Sequence, residues 1–257
     1  PSTIMLNKDL AVCIRAVDYS ETSQIITFFA KDAGKFTAIA KGSKRPKSAF
    51  DGPIELFAHG RIVYSQLHKD KLATLTEFHQ EMPYSFMTSN LFALHCASLA
   101  AELVNSATDD YDPHPELLDA FLKLLNDLDQ TQDLLRLLIV FQLTLLKEIG
   151  LMPIFDHCPN CKTQYAGLSA VASAKAERST HDEFYFSSSA NGLVCRDCEA
   201  AFPDKIKLTT HTAQALADKD ALACADQRTT RQVEEVLIAH FTELLHRPPR
   251  MAKYVLA

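Results

Sequence analysis

Four cysteines stand in two C-x-x-C pairs, Cys158-Pro-Asn-Cys161 and Cys195-Arg-Asp-Cys198. Two thiolates three residues apart can chelate one ion from a tight turn, and two such turns close a tetrahedral zinc site. Four thiolates leave no open position for water, so the pattern predicts a single structural Zn²⁺. The 33 residues between the pairs exceed the span of a short zinc finger and suit a ribbon with an inserted loop. The bland alternative is two unrelated buried or redox pairs. His157 adjoins the first pair and reads as a neighbour of the site, not a ligand. Cys13, Cys96 and Cys224 sit singly on apolar patterns and read as core.

The second chemistry is electrostatic. Gly34 to Ser48, GKFTAIAKGSKRPKS, carries Lys35, Lys41, Lys44, Arg45 and Lys47 with no acid, in a chain of net charge -6. Uncompensated cations on one strand and loop make a site for a polyanion such as nucleic acid. A solvated, solubilising loop is the competing reading. Of the nearby aromatics, Phe28, Phe29, Phe36, Phe57 and Tyr64 fit a small core. Phe50, beside the basic loop, is the candidate for stacking on an unpaired base.

Catalytic patterns are missing. The sequence has no H-E-x-x-H, G-x-S-x-G or phosphate-binding G-x-x-x-x-G-K-[ST]. Asp109-Asp110 and Asp127 with Asp129 read as solvated loop and helix-end acids. These observations predict a binding protein without enzymatic activity.

The elements that must position these residues fall into two parts. Pro1 to Gln80 reads as all-β, with strands at Leu10–Val17, Ser23–Ala30, Lys35–Lys41, Pro53–Gln66 and Lys71–Phe78. Gly60 marks a bulge or a break in the fourth. Five short strands in so few residues suit an OB-fold barrel, and an SH3-like barrel stays open. After Met82-Pro83 the period becomes helical: Ser89–Ala107 capped by Ser89 or Thr88, Glu116–Asp127, and Asp133–Ile149 ending at Gly150. The last of these is apolar almost all round and should be the most buried. Beyond it, Ala166–Asp182 is small and polar, and Glu183–Ser187 reads as one strand. Helices follow at Ala213–Leu222 and Arg231–Leu245, capped by Thr212 and by Thr229 or Thr230. The fold class is therefore multidomain α+β: an OB-fold over residues 1–80, then a helical domain over 81–257 with a four-cysteine zinc module at about 155–205.

Composition agrees with this division. Residues 1–80 hold 11 Lys and Arg against 8 Asp and Glu, whereas 81–150 hold 3 against 11. The basic part is the barrel; the acidic middle would repel nucleic acid and suits a basic protein partner. No apolar run is long enough to span a bilayer, and PSTIMLNKDL lacks the features of a secretory signal. Cysteines arranged for metal suit a reducing compartment, so the expectation is cytoplasmic, with no membrane partner.

In order along the chain, Tyr19-Ser20-Glu21-Thr22-Ser23, Gly34-Lys35, Ala40-Lys41-Gly42, Lys47-Ser48, Phe141, Leu145-Leu146, Gly150 and the four cysteines resemble the recombination mediator RecO family. The resemblance implies an N-terminal OB-fold and a helical domain with a zinc module. It also implies binding of single- and double-stranded DNA, annealing of complementary strands, and loading of RecA onto SSB-coated strands together with RecR. Carried onto this sequence, Lys35, Lys41, Lys44, Arg45 and Lys47 would hold phosphates, and Cys158, Cys161, Cys195 and Cys198 would hold zinc. The family commonly has a basic pair before the phenylalanine of the long helix, where the SSB C-terminal tail is received. Here those positions are Ile139 and Val140, and the nearest cation is Arg136. The expectation from another class is a zinc-stabilised protein-interaction scaffold that touches no DNA.

Overall fold

A computed structural model describes residues 6–46, 48–50, 52–66, 72–81, 84–165, 168 and 183–257. The chain divides into two compact units, Pro1–Thr131 and Gln132–Ala257.

The first unit opens with β1 (Leu6–Asp18), β2 (Gln24–Ala30), β3 (Gly34–Ala40), β4 (His59–Ser65) and β5 (Ala73–Gln80). They form a closed barrel in the order β1-β2-β3-β5-β4, with β4 returning to pair with β1. β3 and β5 run parallel and the other pairs antiparallel. Five strands closed in this order form an OB-fold barrel. Alternation sends Cys13, Ile26, Phe28, Phe36, Ala38, Ile62 and Phe78 into the interior. Pro53–Ala58, expected as strand, is instead irregular: Ala58 N donates to Glu55 O at 3.2 Å, and Phe57 takes a left-handed φ of 66°.

Three helices complete this unit: α1 (Phe86–Ser89), α2 (Leu91–Ala107) and α3 (Pro115–Leu128). Asn90, not Ser89 or Thr88, caps α2, its side chain accepting from Ala93 N at 3.0 Å. Val12 and Phe29, paired in register, point away from the barrel interior and are still fully buried. The cause is that α2 packs on β1 and α3 on β2. Phe57 joins the same layer, 6.1 Å from Phe86 and 6.5 Å from Phe121 between ring centroids. Gly34 permits the closest approach: a Cβ there would lie 2.3 Å from Asp112 O, and its φ is +70°.

The second unit begins with α4 (Leu134–Glu148). It buries Leu138, Ile139, Phe141, Leu145 and Leu146, whereas Val140 is 42% exposed, so the helix is not enclosed all round. A small antiparallel sheet follows in the order β7-β6-β8, from β6 (Phe184–Ser187), β7 (Gly192–Cys195) and β8 (Ile206–Leu208). The expected single helix around Ala213 is two, α5 (Thr210–Ala217) and α6 (Lys219–Cys224), because Asp218 breaks the first and caps the second. Then come α7 (Gln227–Leu245), capped by Asp226, and α8 (Ala252–Val255). α7 packs on α4 and α5. The expected polar stretch at 166–182 lies, apart from Leu168, outside the described residues.

Candidate metal centre and cationic rim

The first cysteine pair sits on a tight turn. Lys162 N donates to Cys158 O and Cys158 N to Thr163 O, each at 2.9 Å, with Lys162 in the left-handed region at φ 63°. The second pair lies where β7 ends: Cys198 N donates to Cys195 O at 3.1 Å, and a 3₁₀ turn at Glu199–Ala201 follows. Gly192 lets the two turns meet. Ile154 bridges to it and Leu193 N donates to Ile154 O at 2.9 Å, while a Cβ on Gly192 would strike Ile154 O at 2.3 Å.

The four sulfurs of Cys158, Cys161, Cys195 and Cys198 lie within 4.8 Å of one another. Cys161 Sγ and Cys195 Sγ are 3.6 Å apart. A tetrahedron with metal–sulfur bonds of about 2.3 Å has edges of about 3.8 Å, so the cluster fits one tetrathiolate-bound ion and is compatible with zinc. His157 is not among the clustered ligands; its Nδ1 is 2.8 Å from Asp156 Oδ1. Val194, Tyr165, Phe202 and Ala190 pack around the centre, and the Tyr165 hydroxyl donates to Leu193 O at 2.7 Å.

Two side chains that spacing did not single out touch the sulfurs. Asn160 Nδ2 donates to Cys198 Sγ at 3.2 Å, and Thr163 Oγ1 lies 3.2 Å from Cys161 Sγ. The Thr163 hydroxyl, with its backbone N–H, brings the exposed Cys161 thiol down to about 6, whereas burial pushes Cys195 up to about 12. Hydrogen bonding to the thiolate and desolvation thus act in opposite directions within one cluster. The other cysteines divide: Cys13 and Cys96 are buried as expected, but Cys224 is exposed, because it is the last residue of α6 rather than part of a buried stripe.

The basic stretch divides as well. Lys41 and Arg45 are exposed at the end of β3 and in the loop that follows it. Lys44 is anchored there, its Nζ 2.7 Å from Asp18 Oδ2 and its N–H donating to Thr22 O at 3.1 Å. Lys47 lies outside the described residues. Lys35 corrects the expectation. It is 9% exposed, and its ammonium donates to Asn105 O at 2.8 Å and Thr108 O at 2.6 Å, with Asp110 at 3.4 Å. The end of α2 offers carbonyls without intrahelical donors and the negative end of its dipole, and that is what draws the cation inward.

A buried polar hub holds the loop in place. Ser43, fully buried, donates to Gln24 Oε1 at 2.9 Å; the same oxygen accepts from Ile54 N at 2.9 Å, and Gln24 Nε2 donates to Ile54 O at 3.1 Å. One side chain therefore ties β2, the basic loop and the segment before β4 together. A lone Gln within a strand gives no signal of this in sequence. Phe50 is 3% exposed and belongs to the barrel core, so it is not a stacking platform.

A family model described as "Recombination protein O C terminal" matches residues 88–253, and one described as "Recombination protein O N terminal" matches residues 5–82. The chain belongs to the RecO family. It is 28% identical to the DNA repair protein RecO of Bacillus subtilis (strain 168) over 212 residues, 82% of this chain and 76% of that protein. It is 31% identical to the DNA repair protein RecO of Rhodopirellula baltica over 207 residues, 80% of this chain and 71% of that protein.

Arg136 of this RecO-family chain is not a free charge. Its guanidinium donates to Ala223 O at 2.9 Å and Ala225 O at 2.7 Å, at the end of α6, and pairs with Asp133 at 2.5 Å. A helix C-terminus therefore already holds the cation nearest to Ile139 and Val140. Among the described residues no helix is long and apolar enough to cross a membrane.

Proposed function

We propose that this chain is a non-enzymatic DNA repair factor acting in recombination. In this reading it binds single- and double-stranded DNA on the rim of its barrel, anneals complementary strands, and works with RecR to load RecA onto SSB-coated strands. The observation that carries the reading is the exposed pair Lys41 and Arg45 on a loop fixed by Gln24 and Ser43 at one end of the barrel. A cation held on a rigid loop meets phosphate at a lower ordering cost than one on a mobile tail, and each phosphate contact releases condensed counterions. The names of the relatives support the repair setting. The same reading gives the cysteine centre one structural Zn²⁺ and the protein a cytoplasmic setting, where thiolates stay reduced.

The test is the annealing of two complementary oligonucleotides over a salt series. Wild type is compared with a variant in which Lys41, Lys44, Arg45 and Lys47 are all changed to Ala. The variant is expected to lose both rate and salt dependence while remaining folded. Equal annealing by a folded variant would move the DNA path away from this rim and favour a protein-interaction scaffold.

A further inference from the structure

Among the described residues, part of the outer face of the barrel is left open to solvent. Near Val12 and Phe29 the helices lie on it, but farther along β1 the outward residues are Arg15 and Val17, both exposed, Val17 at 44%. Register carries this open face across the sheet. Val17 pairs with Ile25 and Ile25 with Ile39, whereas Arg15 pairs with Thr27, which is buried, and Thr27 with Thr37. Ile25 and Ile39 are half-buried, so the first row forms a shallow aliphatic floor.

Tyr19 follows the end of β1, two residues beyond Val17, and is 64% exposed. Its backbone is fixed. Tyr19 N donates to Ser23 O at 3.0 Å, Ser20 N to the same oxygen at 3.2 Å, and Ser20 Oγ accepts from Ser23 N at 3.2 Å. The turn is fastened to the basic loop from both sides: Gly42 N donates to Ser23 Oγ at 3.2 Å, Lys44 N to Thr22 O at 3.1 Å, and Lys44 Nζ pairs with Asp18. A large exposed aromatic on a rigid turn thus lies beside Lys41, Lys44 and Arg45, with Arg15 along the same strand. Glu21 is the exposed acid of this turn, and Lys44 neutralises Asp18. No described residue forms an ion pair with Arg15, Lys41 or Arg45.

We propose that Tyr19 is a stacking platform for an unpaired nucleobase, with the Val17–Ile25–Ile39 row as the floor beneath the strand. This deepens the proposed function and rests on it. An aromatic ring beside cations suits a single strand because every base has a π-face, whereas a duplex hides its faces in the stack. The cations hold the backbone without reading which strands are paired. The tyrosine therefore supplies what the cations lack, a preference for unpaired over paired nucleic acid.

The test measures affinity for oligothymidylate, for an abasic oligomer of the same length, and for duplex, in wild type, Tyr19→Ala, Tyr19→Phe and the Lys41→Ala/Arg45→Ala double variant. Tyr19→Ala is expected to weaken oligothymidylate binding about five- to hundredfold, with the salt slope, the abasic oligomer and the duplex unchanged. Tyr19→Phe keeps the ring and should bind as wild type. If folded Tyr19→Ala binds oligothymidylate as wild type while the double variant is weakened, the stacking role is wrong and the cationic site stands. If the double variant also binds as wild type, or wild type binds no oligonucleotide, the DNA reading itself fails and the stacking role falls with it.

Discussion

Asn160 Nδ2 lies 3.2 Å from Cys198 Sγ, so a side chain of the first cysteine turn donates to a sulfur of the second. An N–H···S bond stabilises the thiolate form that metal requires and orients it. Contacts of this kind behind a ligand typically change metal affinity about 10- to 100-fold. Asn160→Ala is therefore expected to bind zinc more weakly by a factor in that range, read by competition with a chromophoric chelator. Wild-type affinity in the variant would make the contact incidental.

Cys195→Ser tests the centre itself. Cys195 is buried among Val194, Tyr165 and Phe202. Losing one of four thiolates should release the ion and loosen the second unit, since binding free energy in such sites is largely folding free energy. Zinc content and thermal unfolding measured together decide it. A variant without metal but with undiminished stability would remove the structural role.

Lys35→Met separates packing from nucleic-acid binding. The substitution leaves Asn105 O and Thr108 O without the ammonium that now satisfies them. Unsatisfied buried acceptors cost about 1–3 kcal/mol each at most. A lower denaturant midpoint is expected, with oligonucleotide affinity of the folded protein little changed. A large loss of affinity with full stability would return Lys35 to the binding surface.

Glu234 on α7 gives a pH dependence. It is fully buried, its Oε1 accepts from Gln142 Nε2 of α4 at 2.9 Å, and burial pushes its carboxyl up to about 7 from 4.5. The folded state then holds a proton that the unfolded state has released between those values, so stability falls as pH rises through that window. His240 acts oppositely: burial lowers it to about 4 from 6.5, and its contribution is lost as pH falls. Glu234→Gln removes the first effect alone. The variant should be the more stable by roughly 1–3 kcal/mol at pH 8, and near parity with wild type at pH 5. Chemical denaturation at the two pH values checks this; equal stability at pH 8 would refute a buried, proton-holding Glu234.

What could be read from the sequence was local. Cysteine spacing is a local pattern, and it named Cys158, Cys161, Cys195 and Cys198, the four residues that cluster. Alternation located the five barrel strands to within a few residues, except where Pro53–Ala58 turns before β4. Nonlocal placement was hidden. Lys35 counts as a cation in any tally, and only a helix end 70 residues away turns it inward. β7 and β8, at 4 and 3 residues, are too short to show a period. Cys224 fits the apolar pattern of its neighbours, but α6 stops at that residue and leaves it in solvent. Phe50, read as the stacking candidate, is buried while Tyr19 is exposed, because which aromatic faces water depends on the closure of the barrel.

The layer formed by Val12, Phe29, Phe57, Phe86 and Phe121 has a consequence for how this protein can be divided or inherited. A cut after Gln80 would follow the change in sequence pattern yet strip the cover from Val12, Phe29 and Phe57, exposing side chains worth about 1.5–3 kcal/mol each when buried. Such a fragment would be sticky rather than small and soluble. A fragment ending at Thr131 keeps the layer whole. The barrel and its three following helices therefore share one buried layer, and a division within the first unit has to respect it.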